Sequence, residues 1–197
     1  MNKKQRQRRR RCAEGFTLIE ALIALLILTV VMVGVFAEIN KAQTYYKVED
    51  KKADLTSQER DFVDQFTRDL HQAGFPSQVI LGNAAAFNGL TANTNFTSTV
   101  EMTGDLGDGN GVSTVTYTYD STGGTLQRAV NGAATIAVQN VTSATFTAYD
   151  ITGAATTTLA NVRSIRISFS TQSGVDATNQ VPVQVNMTGM ARLPNNN

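Results

Sequence analysis

The sequence has 197 residues, is 42% hydrophobic and has a formal net charge of +1, which suits one ordinary domain with additional segments. Its single cysteine excludes an intrachain disulfide. The charge is uneven, because residues 1–15 contain seven basic residues and one acidic residue, whereas residues 16–197 contain ten basic and fifteen acidic residues. Since the basic cluster directly precedes an apolar run, it favours the cytoplasmic flank of a membrane segment over nucleic-acid binding.

The first predicted element is a long helix. Residues 16–37 are apolar at all but three positions, and as a helix they span about 33 Å, enough to cross a bilayer. No proline precedes Pro76, so we predict that the helix continues to about Ala73 and ends in the sequence HQAGFP. Four apolar residues of its second half share one helical face: Leu55, Phe62, Phe66 and Leu70.

The segment after Pro76 predicts antiparallel strands. Three runs alternate apolar and polar residues: VSTVTYTY (112–119), VRSIRISFS (162–170) and VPVQVNM (181–187). Such alternation is typical of half-buried strands with a polar outer face. We therefore predict an α+β fold, in which a long helix, half transmembrane and half amphipathic, packs its apolar stripe on an antiparallel sheet.

Few residues suggest chemistry. Asp105, Asp108 and Asn110 offer oxygen ligands to calcium, but their spacing does not match an EF-hand and no glutamate follows at the right distance, so we expect a solvated hairpin loop. His71 is the sole histidine, too few for a catalytic triad or a histidine-rich metal site without further partners. We expect neither enzymatic activity nor a cofactor.

Two interpretations compete for the N-terminal segment. In the first, the chain has a secretory signal peptide that is cleaved after VFA at residues 35–37. Its apolar region would then be unusually long, Glu20 would have no purpose, and cleavage would leave residues 38–73 without an anchor.

The second interpretation rests on residues 15–20, GFTLIE, which follow the basic cluster and open the apolar run. They closely resemble the type III signal of type IV prepilins and pseudopilins. The resemblance implies that a prepilin peptidase cuts between Gly15 and Phe16, that the new Phe16 amine is methylated, and that Glu20 acts in assembly. It also implies a type IV pilin-like fold with a basic leader at 1–15, an N-terminal helix at 16–75 and an extracytoplasmic β-rich domain at 76–197.

Glu20 would be costly in a membrane helix unless a nearby positive charge compensated it. A charged group at the centre of a membrane helix costs about 2.5–3.5 kcal/mol. An amine 4 Å away offsets this by about 4 kcal/mol at an effective dielectric constant of 20, and the helix N-terminus also favours negative charge. Pairing between Glu20 and a Phe16 amine, on its own or a neighbouring subunit, therefore fixes an axial register that an apolar helix lacks.

Motifs in the second half of the helix and in the strand region indicate which subfamily the chain resembles. RDLHQAGFP at 68–76 resembles the helix end of PilW-like minor pilins and of J-type minor pseudopilins of type II secretion, and the runs at 115–132, 140–150 and 162–171 resemble the PilW order of motifs. Ala37 stands where major pilins often have a kinking proline. The cysteine pair near the C-terminus of many major pilins is also absent, and both departures indicate a minor subunit.

The resemblance implies a structural protein of the bacterial inner membrane, with its N-terminus in the cytoplasm and its C-terminal domain in the periplasm or in an extracellular pilus. Its partners would be other minor and major pilins or pseudopilins, the prepilin peptidase and the inner-membrane assembly platform. A PilW-like minor pilin that primes or caps a pilus is the first interpretation. A minor pseudopilin of type II secretion and a membrane-anchored adhesin are the alternatives.

Overall fold

One continuous helix and seven strands make up the described part of the chain. The computed structural model describes residues 16–75, 89–106, 111–173 and 182–194. The helix α1 spans Leu18–Gln72, close to the predicted 16–73. The strands are β1 (Thr99–Asp105), β2 (Val112–Asp120), β3 (Thr125–Val130), β4 (Ala133–Val138), β5 (Val141–Tyr149), β6 (Ser164–Gln172) and β7 (Gln184–Arg192), with a short 3₁₀ helix at Leu159–Asn161.

Several sequence predictions fall outside the described residues. These are the basic leader with Gly15, the calcium candidates Asp108 and Asn110, and Val181 at the start of the last predicted strand. Strand β7 begins at Gln184, later than the alternating run suggested. Pro182 explains the delay, because it has no N–H to contribute to a strand ladder.

The chain divides into two compact units after Tyr46. In the first unit, every described residue of the chain, from 16 to 46, is exposed. By length and composition, α1 is the helix in the described part of the chain that is able to cross a membrane. An added Cβ on Gly34 would meet nothing within 4 Å, so this glycine marks no close approach within the unit.

In the second unit, the strands form two antiparallel sheets rather than one. The first sheet has the order β1-β2-β3-β4, and the second has the order β5-β6-β7. The predicted alternation is confirmed in β2 and β6, where Val115, Tyr117, Ile165, Ile167 and Phe169 are all buried. In β7, Val185 and Met187 are half-buried between exposed polar residues.

The second half of α1 covers both sheets with the predicted stripe. Leu55, Phe62, Phe66 and Leu70 are all buried. The Phe62 ring lies 5.6 Å from that of Tyr117 in the first sheet and 5.4 Å from that of Phe169 in the second. Two aromatic side chains of one helix thus join the sheets into a single core, since Phe66 also packs on Tyr117 and on Phe146 of β5.

The end of α1 has the predicted glycine cap. Gly74 is left-handed, with φ of 73°, a conformation that costs glycine little. Its N–H donates to the Thr103 carbonyl at 2.8 Å, which ties the helix end to β1. Gly104 permits this contact, because an added Cβ there would overlap the Gln72 carbonyl oxygen.

Candidate functional site at the start of the long helix

Glu20 lies in the first turn of α1 and is exposed. The Thr17 hydroxyl accepts a hydrogen bond from the Glu20 backbone N–H at 3.3 Å, and the Thr17 carbonyl accepts one from the Ala21 N–H at 3.1 Å. Thr17 therefore acts as a helix N-cap, and Glu20 occupies the third helical position, as in the Thr-x-x-Glu capping box. A carboxylate in this turn is stabilised by the helix dipole.

Phe16 precedes the helix and is 78% exposed. The turns that follow Glu20 present an exposed apolar surface on all sides: Leu22, Ile23, Leu25, Leu26, Ile27, Leu28, Val30, Val31, Met32 and Val33. Thr29, a polar residue in this run, satisfies its hydroxyl by donating to the Leu26 carbonyl at 2.7 Å. A helix that is apolar all round requires a lipid or protein environment.

Asp105 and His71 are the described residues that the sequence offered as weak candidates for metal binding or catalysis. Asp105 ends β1, is half-buried and uses its backbone N–H to donate to the Phe75 carbonyl at 2.8 Å. His71 is exposed in the last turn of α1. Within the four described ranges, no group of three His, Cys, Asp or Glu side chains is arranged to hold a metal ion.

Sequence reasoning missed a buried polar cluster that joins α1 to the first sheet. The Asp69 side chain is only 2% exposed, and its Oδ2 accepts from the Tyr117 hydroxyl at 2.6 Å and from Arg128 Nε at 2.7 Å. Gln65 Nε2 donates to Asp69 Oδ1 at 2.8 Å. Three donors therefore satisfy both oxygens of a carboxylate that would otherwise be costly to bury.

The cluster shifts the pKa of two of its members, Tyr117 and Arg128. Burial, followed by the Asp69 charge, raises the pKa of the Tyr117 phenol, so this hydroxyl stays a donor. Burial by itself would lower the pKa of the Arg128 guanidinium, but the hydrogen bond and charge of Asp69 outweigh it and raise that pKa. The cluster holds the helix in one position on the sheet, because its three anchors come from α1, β2 and β3.

A second buried carboxyl joins α1 to the other sheet. Glu59 is 0% exposed, and its Oε1 accepts from the Thr171 hydroxyl of β6 at 2.6 Å. The second oxygen, Oε2, is buried and has no hydrogen-bond partner among the residues that the structure describes. Burial raises the pKa of Glu59, and the hydrogen bond from Thr171 opposes that shift in part.

The sequence did contain a signal for Glu59. The apolar stripe has a gap of seven between Leu55 and Phe62, and Glu59 fills that gap at helical spacing. Asp69 follows Phe66 by three residues and borders the same stripe. Its partners lie 48 and 59 residues away in sequence, so only the folded structure identifies them.

The comparison with known families gives a match in the N-terminal region of the chain. Residues 10–36 match the family model described as the prokaryotic N-terminal methylation motif. Among curated proteins, none matches the sequence. The matched residues include Phe16, the cap Thr17, Glu20 and the exposed apolar turns described above. The chain therefore carries the methylation signal of type IV pilin-like prepilins, which supports a type IV pilin or pseudopilin whose exposed apolar helix leads into an α+β domain of pilin-like fold.

Proposed function

We propose that this chain is a minor type IV pilin of the PilW-like kind, a structural subunit that primes or caps a pilus. The observation that carries the proposal is the N-terminal methylation motif at residues 10–36, located directly at the start of an exposed apolar helix. Cleavage between Gly15 and Phe16 would release a free amine next to the first helical turn. The exposed helix then serves first as an inner-membrane anchor and later as the assembly surface.

Glu20 gives this assembly its register. After cleavage and methylation, the Phe16 nitrogen is positively charged, and Glu20 follows it by about one helical turn. The Thr17 cap already holds the backbone of Glu20 in helical geometry. The carboxylate is therefore positioned to pair with the amine of an incoming neighbour, in an apolar environment where such pairing is strong.

The experiment is a comparison of Glu20→Val with Glu20→Asp in cells that assemble the pilus. Both variants should reach the membrane and be cleaved after Gly15, because neither change removes the span or the cleavage site. Glu20→Val should be lost from sheared filaments or co-purified pilin complexes, and Glu20→Asp should be recovered at an intermediate level because its shorter side chain reduces reach. Glu38→Val, the same change farther along the exposed helix, is the matched control. Equal recovery of Glu20→Val and the parent would contradict the role of Glu20.

The minor pseudopilin and the anchored adhesin share the N-terminal features, and a deletion strain separates the three functions. Loss of surface filaments and twitching is the result that the proposal predicts. Loss of exoprotein release with intact filaments would instead assign the chain to type II secretion. A normal filament count with failed attachment would assign it to adhesion.

A further inference from the structure

A cavity of about 300 Å³ lies beside the buried Asp69 cluster, where the last turns of α1 face β3. Its polar lining residues are Gln65, Arg68, Asp69 and Gln72 from α1 and Arg128 from β3. Leu106 and Val130 supply its apolar wall. The cavity lies entirely within the second unit of the chain.

The charges of this cavity are unbalanced. Asp69 already accepts three hydrogen bonds, and it engages Arg128 only through Nε. Arg128 interacts with Asp69 and with Tyr117. Within the described ranges, the Arg68 guanidinium forms no ion pair with another residue. Among the described residues that line the cavity, two arginines face one carboxylate, so this part of the lining has one positive charge in excess.

We propose that this cavity is a carboxylate-binding site, which receives an exposed Asp or Glu side chain of a neighbouring protein subunit. A carboxylate pairs with guanidinium groups through parallel, charge-assisted hydrogen bonds. Arg128 is prepared for this role, because Asp69 holds its Nε and so fixes the plane of the guanidinium at little further entropic cost. Arg68, an exposed residue of α1 that lines the same cavity, supplies the second guanidinium.

The size of the site favours a single side chain as the ligand. About 300 Å³ is at the lower limit of small-molecule pockets, and the apolar wall suits the methylene groups of a glutamate. The source of the carboxylate rests on the proposed function, because a subunit that assembles with pilins presents this domain to its neighbours. The carboxylate chemistry itself does not rest on it.

The test is a titration of the full chain in detergent micelles with N-acetyl-glutamate N-methylamide, followed through the arginine Nε–Hε signals by ¹⁵N NMR. The glutamine analogue is the uncharged control probe. The Arg68 and Arg128 signals should shift saturably with the glutamate probe and stay unchanged with the glutamine probe. Arg68→Gln should raise the Kd about three- to tenfold, whereas Arg60→Gln, which removes an exposed arginine two turns earlier on α1, should not change it.

Arg128→Lys is the second variant, because it keeps a cation beside Asp69 while it removes the two Nη groups. It should fold and bind the glutamate probe more weakly than the parent. The absence of saturable shifts, or equal weakening by Arg68→Gln and Arg60→Gln, would overturn the proposal. Binding of free succinate more than tenfold tighter than the glutamate probe would overturn the choice of a protein side chain. Failure of pilus assembly assays would not affect these outcomes, so the two proposals are tested separately.

Discussion

Asp69 connects three elements of the domain through a single carboxylate. Its Oδ2 receives both the Tyr117 hydroxyl and Arg128 Nε, and all three groups are wholly or largely buried. Removal of one partner from such a cluster leaves the others without compensation, which is more costly than the loss of an exposed ion pair.

We expect Tyr117→Phe to lower the free energy of unfolding by about 1.5–3 kcal/mol, the usual range for a hydrogen bond to a charged group. Asp69→Ala should cost about 3–5 kcal/mol, because it strands Arg128 and the Tyr117 hydroxyl. Tyr119→Phe, a change on the same strand at a half-buried position, should stay within about 0.5 kcal/mol. Urea unfolding followed by tyrosine fluorescence measures all three, and equal losses for the two tyrosine variants would contradict the account of the cluster.

Glu59 gives the domain a pH dependence of predictable sign. Burial raises the pKa of Glu59 above its ordinary value of 4.5, so the folded state holds this proton more tightly than the unfolded chain does. Protonated Glu59 therefore makes its full contribution to the free energy of unfolding below pH 4.5. This contribution is lost as the pH rises through the folded-state pKa. Glu59→Gln keeps an acceptor for Thr171 and should remove this loss, so that the variant is more stable than the parent at pH 8.

Glu101 provides the control of opposite sign. Hydrogen bonds, chiefly from Thr91, lower the pKa of Glu101, so its contribution is present above pH 4.5 and is lost as the pH falls through its folded-state pKa. Glu101→Gln should therefore flatten the acid side of the stability profile and leave the alkaline side unchanged. Urea midpoints between pH 3 and pH 8 give both profiles. A Glu59→Gln profile parallel to that of the parent would show that Glu59 is not the responsible group.

At the scale of elements, the close approach of α1 to β7 depends on a glycine. An added Cβ at Gly189 would lie 2.5 Å from Val63 Cγ1, closer than real Cβ contacts. Gly189 lies on the edge strand β7 and pairs with Ile167 of the central strand β6, so the strand ladder resists a movement of β7 away from the helix. The close approach of α1 to β7 therefore requires that the β7 residue opposite Val63 has no side chain.

Gly189→Ala should lower the free energy of unfolding by about 1–3 kcal/mol through overpacking. Val63→Ala removes the colliding methyl groups, so the double variant should be more stable than the sum of the two single changes predicts. Urea unfolding of the four proteins completes the cycle. Strict additivity of the two changes would mean that the contact is relieved elsewhere.

The elements that the sequence predicted well are those with one buried face. The stripe from Leu55 to Leu70 and the alternation in β2 and β6 are visible because burial on one side imposes a period of 3.6 or 2. β4 was not predicted, since four of its six residues are exposed and its run AATIAV shows no alternation. The separation into two sheets also escaped prediction, because strand order depends on contacts between residues far apart in sequence.

The candidate site divides in the same way. Phe16 and Glu20 are predicted as site residues from a continuous motif, and a linear motif needs no fold to be recognised. The Arg68–Arg128 cavity was not identified, because it requires α1 and β3 to meet. Arg128 offered no local signal, whereas Asp69 and Glu59 broke the helical pattern in a way that marks buried polar residues.

For the whole molecule, the division after Tyr46 separates two tasks. The first unit exposes an apolar helix that requires lipid or other helices, and the second contains a complete core of its own. The methylation motif falls entirely within residues 10–36, ahead of the folded domain. Processing at this motif is therefore the step on which the proposed function depends.

The most direct measurement is the intact mass and N-terminal sequence of the mature protein extracted from membranes. We predict that the mature chain begins at Phe16 with one methyl group on its amine, and that a strain lacking the prepilin peptidase retains residues 1–15. Gly15→Val should likewise block cleavage, because the peptidase accepts a small residue before the cut. A mature chain that begins at Glu38 would contradict the account and would identify residues 1–37 as a cleaved secretory signal.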